Sequence, residues 1–194
     1  MIDLIPSQPV NGVQYIDLLV LPLLAAIIFR LLHKARGLNG SLGKTISETL
    51  ALDKQLYISF SIVMSILYPL YYAFLWLWLG PQTQMPQMFY AVLAVAVVFE
   101  MIFVWVPARG QKQLITHIIS AGMVGVCMLA SSIILLLTGL GLGAIAIAML
   151  WVFILSSLVM AGLLLIPRFR KYMFVYEITY ITLFLISFSF AAHS

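Results

Sequence analysis

The chain has 194 residues, of which 64% are hydrophobic and only 8% charged, with ten Lys and Arg against six Asp and Glu. Soluble domains carry about 45–50% apolar and about 25% charged residues, whereas here the mean hydropathy is +1.14. These figures exclude a water-soluble enzyme or binding module, and the single cysteine, Cys127, excludes a disulfide-built secreted chain. What remains is a polytopic membrane protein.

A bilayer core about 30 Å thick needs roughly 20 apolar residues in a helix. Six stretches qualify, at about 15–33, 56–79, 88–107, 114–138, 143–166 and 173–192. The first follows the polar lead PSQPVNGVQ. With no basic n-region and no persuasive cleavage site, it is read as a retained span. The second carries Pro69 near its middle, which in a membrane helix predicts a kink rather than a break. Spans three and five end alike, in WVPARGQK and LIPRFRKY, where a proline closes the helix and basic residues follow. Ten residues beyond each proline stands an ionisable group, His117 and Glu177 respectively. This is either a weak internal duplication or the general grammar of a helix stop on a basic face. Ala121 and Gly125 in span four, and Ser157 and Ala161 in span five, have the small-xxx-small spacing that lets helices approach closely. The expectation is one transmembrane domain over 1–194, an all-α six-helix bundle of three hairpins with spans four and five as its tight centre. A homodimer interface on those small residues is the alternative.

The basic residues fall in three places. Arg30, Lys34, Arg36, Lys44 and Lys54 lie at or between the ends of spans one and two, Arg109 and Lys112 between three and four, and Arg168, Arg170 and Lys171 between five and six. The other connections and both tails have none. Positive loops stay cytoplasmic, so both termini are expected outside a bacterial inner membrane. The basic face is expected to meet anionic lipid rather than nucleic acid. Aromatic belts are expected from Tyr15, Tyr71, Tyr72, Trp76, Trp78 and Tyr90 outside and from Tyr57, Trp105 and Tyr172 inside, with Trp151 a packing residue.

Outside the spans only the inner loop, 34–54, has any length. Thr45-Ile46-Ser47-Glu48 fits a capping box that starts a helix. GLNGSLGKT resembles a phosphate loop but has Leu38 where the first glycine is required, so no nucleotide site follows. Asn39-Gly-Ser is a glycosylation sequon on the side where it would stay unused.

Charged groups in mid-membrane cost about 2.5–3.5 kcal/mol on insertion scales and are functional candidates by default. Asp17 is close enough to the outer end of span one to be an interfacial acid in reach of water. Glu100, His117 and Glu177 lie at similar depth in the inner half. If their helix faces converge they form a carboxylate–imidazole–carboxylate cluster, with Thr116, Tyr176, Thr179 and Tyr180 as hydroxyl partners. Four readings stay open: a structural polar network, a proton or cation pathway, a metal site for lipid hydrolysis on those three residues, and haem between His33 and His117. No G-x-S-x-G elbow supports a serine nucleophile. Cys127 is read as packing, and the ten methionines as adaptable fill.

Thr45-Ile46-Ser47-Glu48 ahead of span two, and VWVPARGQKQLITHIISAG at the turn between spans three and four, resemble the layout of uncharacterised six-span bacterial membrane proteins of Frag/DRAM-like type. The resemblance covers about half the chain and implies membrane residence and a six-helix bundle, with no catalytic residue carried over. The functional expectation is a non-enzymatic integral membrane protein, either a subunit of a larger complex or a small transporter-like protein. A membrane-embedded metal-dependent lipid-modifying enzyme and a haem-bearing electron-transfer subunit are the alternatives, and no cofactor follows from the sequence.

Overall fold

The structure, a computed structural model, describes residues 6–37, 44, 46–50, 53–107, 111–139 and 141–194. Its helices are α1 (Ile16–Gly37), α2 (Ile46–Leu50), α3 (Lys54–Phe74), α4 (Pro86–Trp105), α5 (Gln111–Thr138), α6 (Ala144–Leu164) and α7 (Met173–Ala192). Six segments are long and apolar enough to cross a membrane: Val13–Arg30, Lys54–Gln82, Pro86–Trp105, Lys112–Thr138, Ala144–Leu164 and Pro167–Ala192. The fold class is therefore the expected all-α six-helix bundle. Among the described residues there is no strand, only an isolated bridge from Thr83 to Gly139.

Local chemistry explains the helix ends. Asp53 caps α3, its carboxylate accepting from the amides of Gln55 and Leu56 at 3.0 Å each. Pro86 opens α4, where a missing N–H costs nothing. At the other end Pro107 cannot donate to the preceding turn, so α4 stops and leaves bare carbonyls in a medium without water. Neighbouring helices supply the donors. Tyr57 and Ser61 of α3 donate hydroxyls to the Val104 carbonyl at 3.0 and 2.9 Å, and His117 of α5 binds the Val106 carbonyl at 3.0 Å. Pro69 does not break α3, which continues to Phe74 and then loosens into a π-helical turn, Leu75–Leu79.

The second and fourth spans have the most buried stretches, with 44% and 39% of an 18-residue apolar window inside the bundle, and the first is peripheral at 17%. α4 packs chiefly on α5, α6 on α7, and α3 on α1 and α4. The expected tight pairing of spans four and five is thus corrected: α5 and α6 touch only slightly. Gly125 faces α7, where its carbonyl accepts from the Tyr180 hydroxyl at 3.1 Å. Ala161 is exposed, Ala121 is half-buried, and buried Ser157 donates to the Phe153 carbonyl of its own helix. A methyl added at Gly122 or Gly162 would meet nothing within 4 Å. Aromatic rings fill the α6–α7 seam instead, with Phe153 of α6 packed at a tilt on Tyr180 and Phe184 of α7 at 5.2 and 6.0 Å. Spacing shows that a close face exists but not where it turns.

The aromatic belt is corrected in part. Tyr15, Trp105 and Tyr172 are exposed, but Tyr71, Tyr72 and Tyr90 are buried in the bundle, and Trp151 faces outward rather than packing. Tyr71 spends its hydroxyl on the Leu185 carbonyl at 3.0 Å, and Tyr90 on that of Pro6. Thr45 of the capping box, the near-miss phosphate loop with Leu38 and Asn39, and Arg109 lie outside the described residues.

Candidate functional site

α4 buries Phe89, Leu93, Ala96, Glu100 and Val104, a spacing of three to four residues that puts Glu100 on the inward face. Opposite it, α3 buries Ser61, Met64, Tyr68, Tyr71 and Tyr72 at the same rhythm. The hydroxyls of Tyr68 and Tyr72, one helical turn apart, lie toward the Glu100 carboxyl. Among the described residues no cation pairs with it.

Glu100 is the first of a series. Tyr68 lies in electrostatic range of both Glu100 and Glu177. Glu177 of α7 accepts a 2.6 Å hydrogen bond from the Ile46 amide at the start of α2, and is in range of Glu48 on that short helix. Glu48 is in turn in range of His117 on α5. Tyr180 lies within range of Glu100 and Cys127, on a further side of the same centre.

The expected cluster of Glu100, His117 and Glu177 is therefore not assembled as one unit. His117 is buried, with its ring stacked on Phe103 at 4.3 Å. A carbonyl only accepts, so the contact with Val106 places a proton on Nδ1. The ring's Nε2 is buried without a hydrogen-bond partner among the described residues. The physical reason for the dispersal is competition from bare backbone groups: the α4 terminus claims the imidazole, and the α2 amide claims Glu177. Among the described residues no group of three or more His, Cys, Asp or Glu is placed to hold a metal, which corrects the proposed ligand set. His33 is exposed while His117 is buried, so the two imidazoles share no enclosed pocket. Of the expected hydroxyl partners, Tyr180 serves Gly125 and Thr116 bonds the Lys112 carbonyl of its own helix.

Asp17 also differs from expectation. It is at the end of the bundle away from the basic turns, but it is fully buried and does not reach water. Its Oδ2 accepts from the Ser189 hydroxyl and from His193 Nε2, the latter at 3.0 Å, so the first span is tied to the last. Its Oδ1 is buried without a partner among the described residues. Sequence reasoning passed over Ser189 and His193. Their one signal was the four-residue spacing that puts both on one helical face. At the basic end Lys34 pairs with Asp53 at 2.5 Å and holds its carboxyl below the usual range.

Compared with known proteins, the chain matches no family model, no curated protein and no solved structure.

Proposed function

We propose that the chain is a non-enzymatic, transporter-like integral membrane protein. Its working element would be the series Glu100, Tyr68, Glu177 and Glu48, leading from the membrane interior toward His117 at the basic end. The observation that carries this reading is Glu100, a carboxyl group buried inside the bundle beside two phenols and, among the described residues, without a cation. A purely structural acid is expected to be neutralised by a basic partner or spent on backbone donors. Phenol and carboxyl groups both donate and accept, so a proton could pass between Glu100 and Tyr68, and Glu177 lies in electrostatic range of Tyr68 for a further step.

The positive-inside rule supports a cytoplasmic basic end in a bacterial inner membrane, which would leave both termini outside. Anionic lipid is the expected neighbour of that end, and further membrane subunits or a second copy are compatible partners. The Frag/DRAM-like layout belongs to the same reading. Reconstitution into liposomes with a pH-sensitive dye inside tests it: an imposed potential should drive proton flux that Glu100→Gln abolishes. Flux that the variant leaves unchanged would remove the proposal.

A further inference from the structure

A groove of about 410 Å³ opens sideways between α6 and α7, lined by Leu155, Ser156, Val159, Val175, Tyr176 and Thr179. Leu155, Val159 and Val175 are exposed along it, as a lipid-facing surface requires. The three hydroxyls are unusual. Ser65, Ser132, Thr138 and Ser157 each bond the carbonyl four residues back, the common way of hiding a hydroxyl in a membrane helix. Ser156, Tyr176 and Thr179 make no hydrogen bond among the described residues.

Directly below lies the turn Pro167–Tyr172, with Arg168, Arg170 and Lys171 exposed. None of them pairs with a carboxylate among the described residues, unlike Lys34. Each is steadied by a local contact. Arg168 stands over the Phe169 ring and Lys171 over that of Tyr172, both at 5.0 Å, and Arg170 donates through Nε to the Leu164 carbonyl at 3.0 Å. At 1.5 Å per residue, Val175 to Thr179 lie about 3–9 Å past the start of α7. This is the offset between a lipid phosphate and its ester groups in order of magnitude.

We propose that the groove and the basic turn form a seat for one glycerophospholipid with an anionic headgroup. The phosphate sits against Arg168, Arg170 and Lys171. Its ester carbonyls accept from Ser156, Tyr176 and Thr179, and an acyl chain lies along Leu155 and Val159. Basic pockets between membrane helices at the cytoplasmic side commonly hold such headgroups.

The test uses the full chain in nanodiscs of equal phosphatidylglycerol and phosphatidylcholine, followed by detergent extraction and lipid counting by native mass spectrometry. Bound phosphatidylglycerol should be strongly enriched over phosphatidylcholine. Replacing Arg168, Arg170 and Lys171 by Gln should weaken retention about fivefold for each cation removed. Arg30→Gln with Lys112→Gln, at the same end but away from the groove, should change little. Equal losses in both variants, or none in the first, would overturn the seat. Because a variant can fail to fold, the unmodified chain is also photolabelled with a phosphatidylglycerol bearing a diazirine near its ester. Labelling concentrated in 155–160 and 175–179 supports the proposal, and labelling spread evenly over all six spans overturns it.

Discussion

The Glu177 carboxylate and the Ile46 amide, 131 residues apart in sequence, meet at 2.6 Å. This contact caps α2 and presses it against the basic end of the bundle, where Ile46 and Leu50 pack with Phe174 in a small second core. A membrane-embedded acid thereby holds a loop helix in place while lying in range of Tyr68 on its other side.

Removing the acceptor should release α2. Glu177→Ala leaves the Ile46 amide unsatisfied, at a cost of about 1–3 kcal/mol, whereas Glu177→Gln keeps an acceptor and should lose less. With Leu50→Cys in a Cys127→Ala background, a water-soluble maleimide should label the Ala variant roughly tenfold faster per 1.4 kcal/mol lost. Equal labelling of the Ala variant and its parent would contradict the docking role.

Asp17 with Ser189 and His193 joins the first helix to the last at the opposite end. Asp17→Ala should lower stability by about 1–3 kcal/mol through the partners it strands. Thermal unfolding in detergent measures this. A double variant with His193→Ala should lose less than the sum of the two single changes.

Gly80 is required by packing. A methyl there would collide with the Tyr90 ring, which itself packs at a tilt on Trp76 at 4.5 Å. Gly80→Ala should cost about 1–3 kcal/mol, and Tyr90→Ala should relieve most of the added strain in the double variant, read by the same thermal unfolding.

The Lys34–Asp53 pair gives a signed pH effect. Pairing lowers the Asp53 carboxyl from its ordinary 3.8, so its contribution is present above that value and is lost as pH falls through the lower, folded one. Asp53→Asn retains the helix cap but removes the titration. Its melting temperature should therefore decline less than the parent's below about pH 4. Parallel acid limbs would show that the pair contributes nothing.

The spans were legible in the sequence because their hydropathy leaves no alternative, and each basic turn lies at the expected helix junction. Glu100 was legible for the same reason, as a lone acid in an apolar run. Its partners were not. Tyr72 read as a belt residue and Tyr68 was passed over, because depth is visible in sequence while helix rotation is not. His117 and Glu177 were drawn away by the α4 carbonyls and the α2 amide, backbone groups that carry no residue-type signature. Asp17 looked interfacial by depth alone, and only the docking of α7 buries it. The Ala121–Gly125 and Ser157–Ala161 pairs failed as a packing guide because rings from Phe153 and Tyr180 had already filled the neighbouring seam.

The central proposal is that Glu100 takes part in proton movement across the membrane. Proton flux into liposomes under an imposed potential, compared between the parent and Glu100→Gln, tests it most directly. Tyr68→Phe, which removes one hydroxyl, provides the graded case. The account predicts potential-driven flux in the parent, a reduced rate in Tyr68→Phe, and the leak of empty liposomes in Glu100→Gln. Parent and Glu100→Gln vesicles that acidify at the same rate would contradict it.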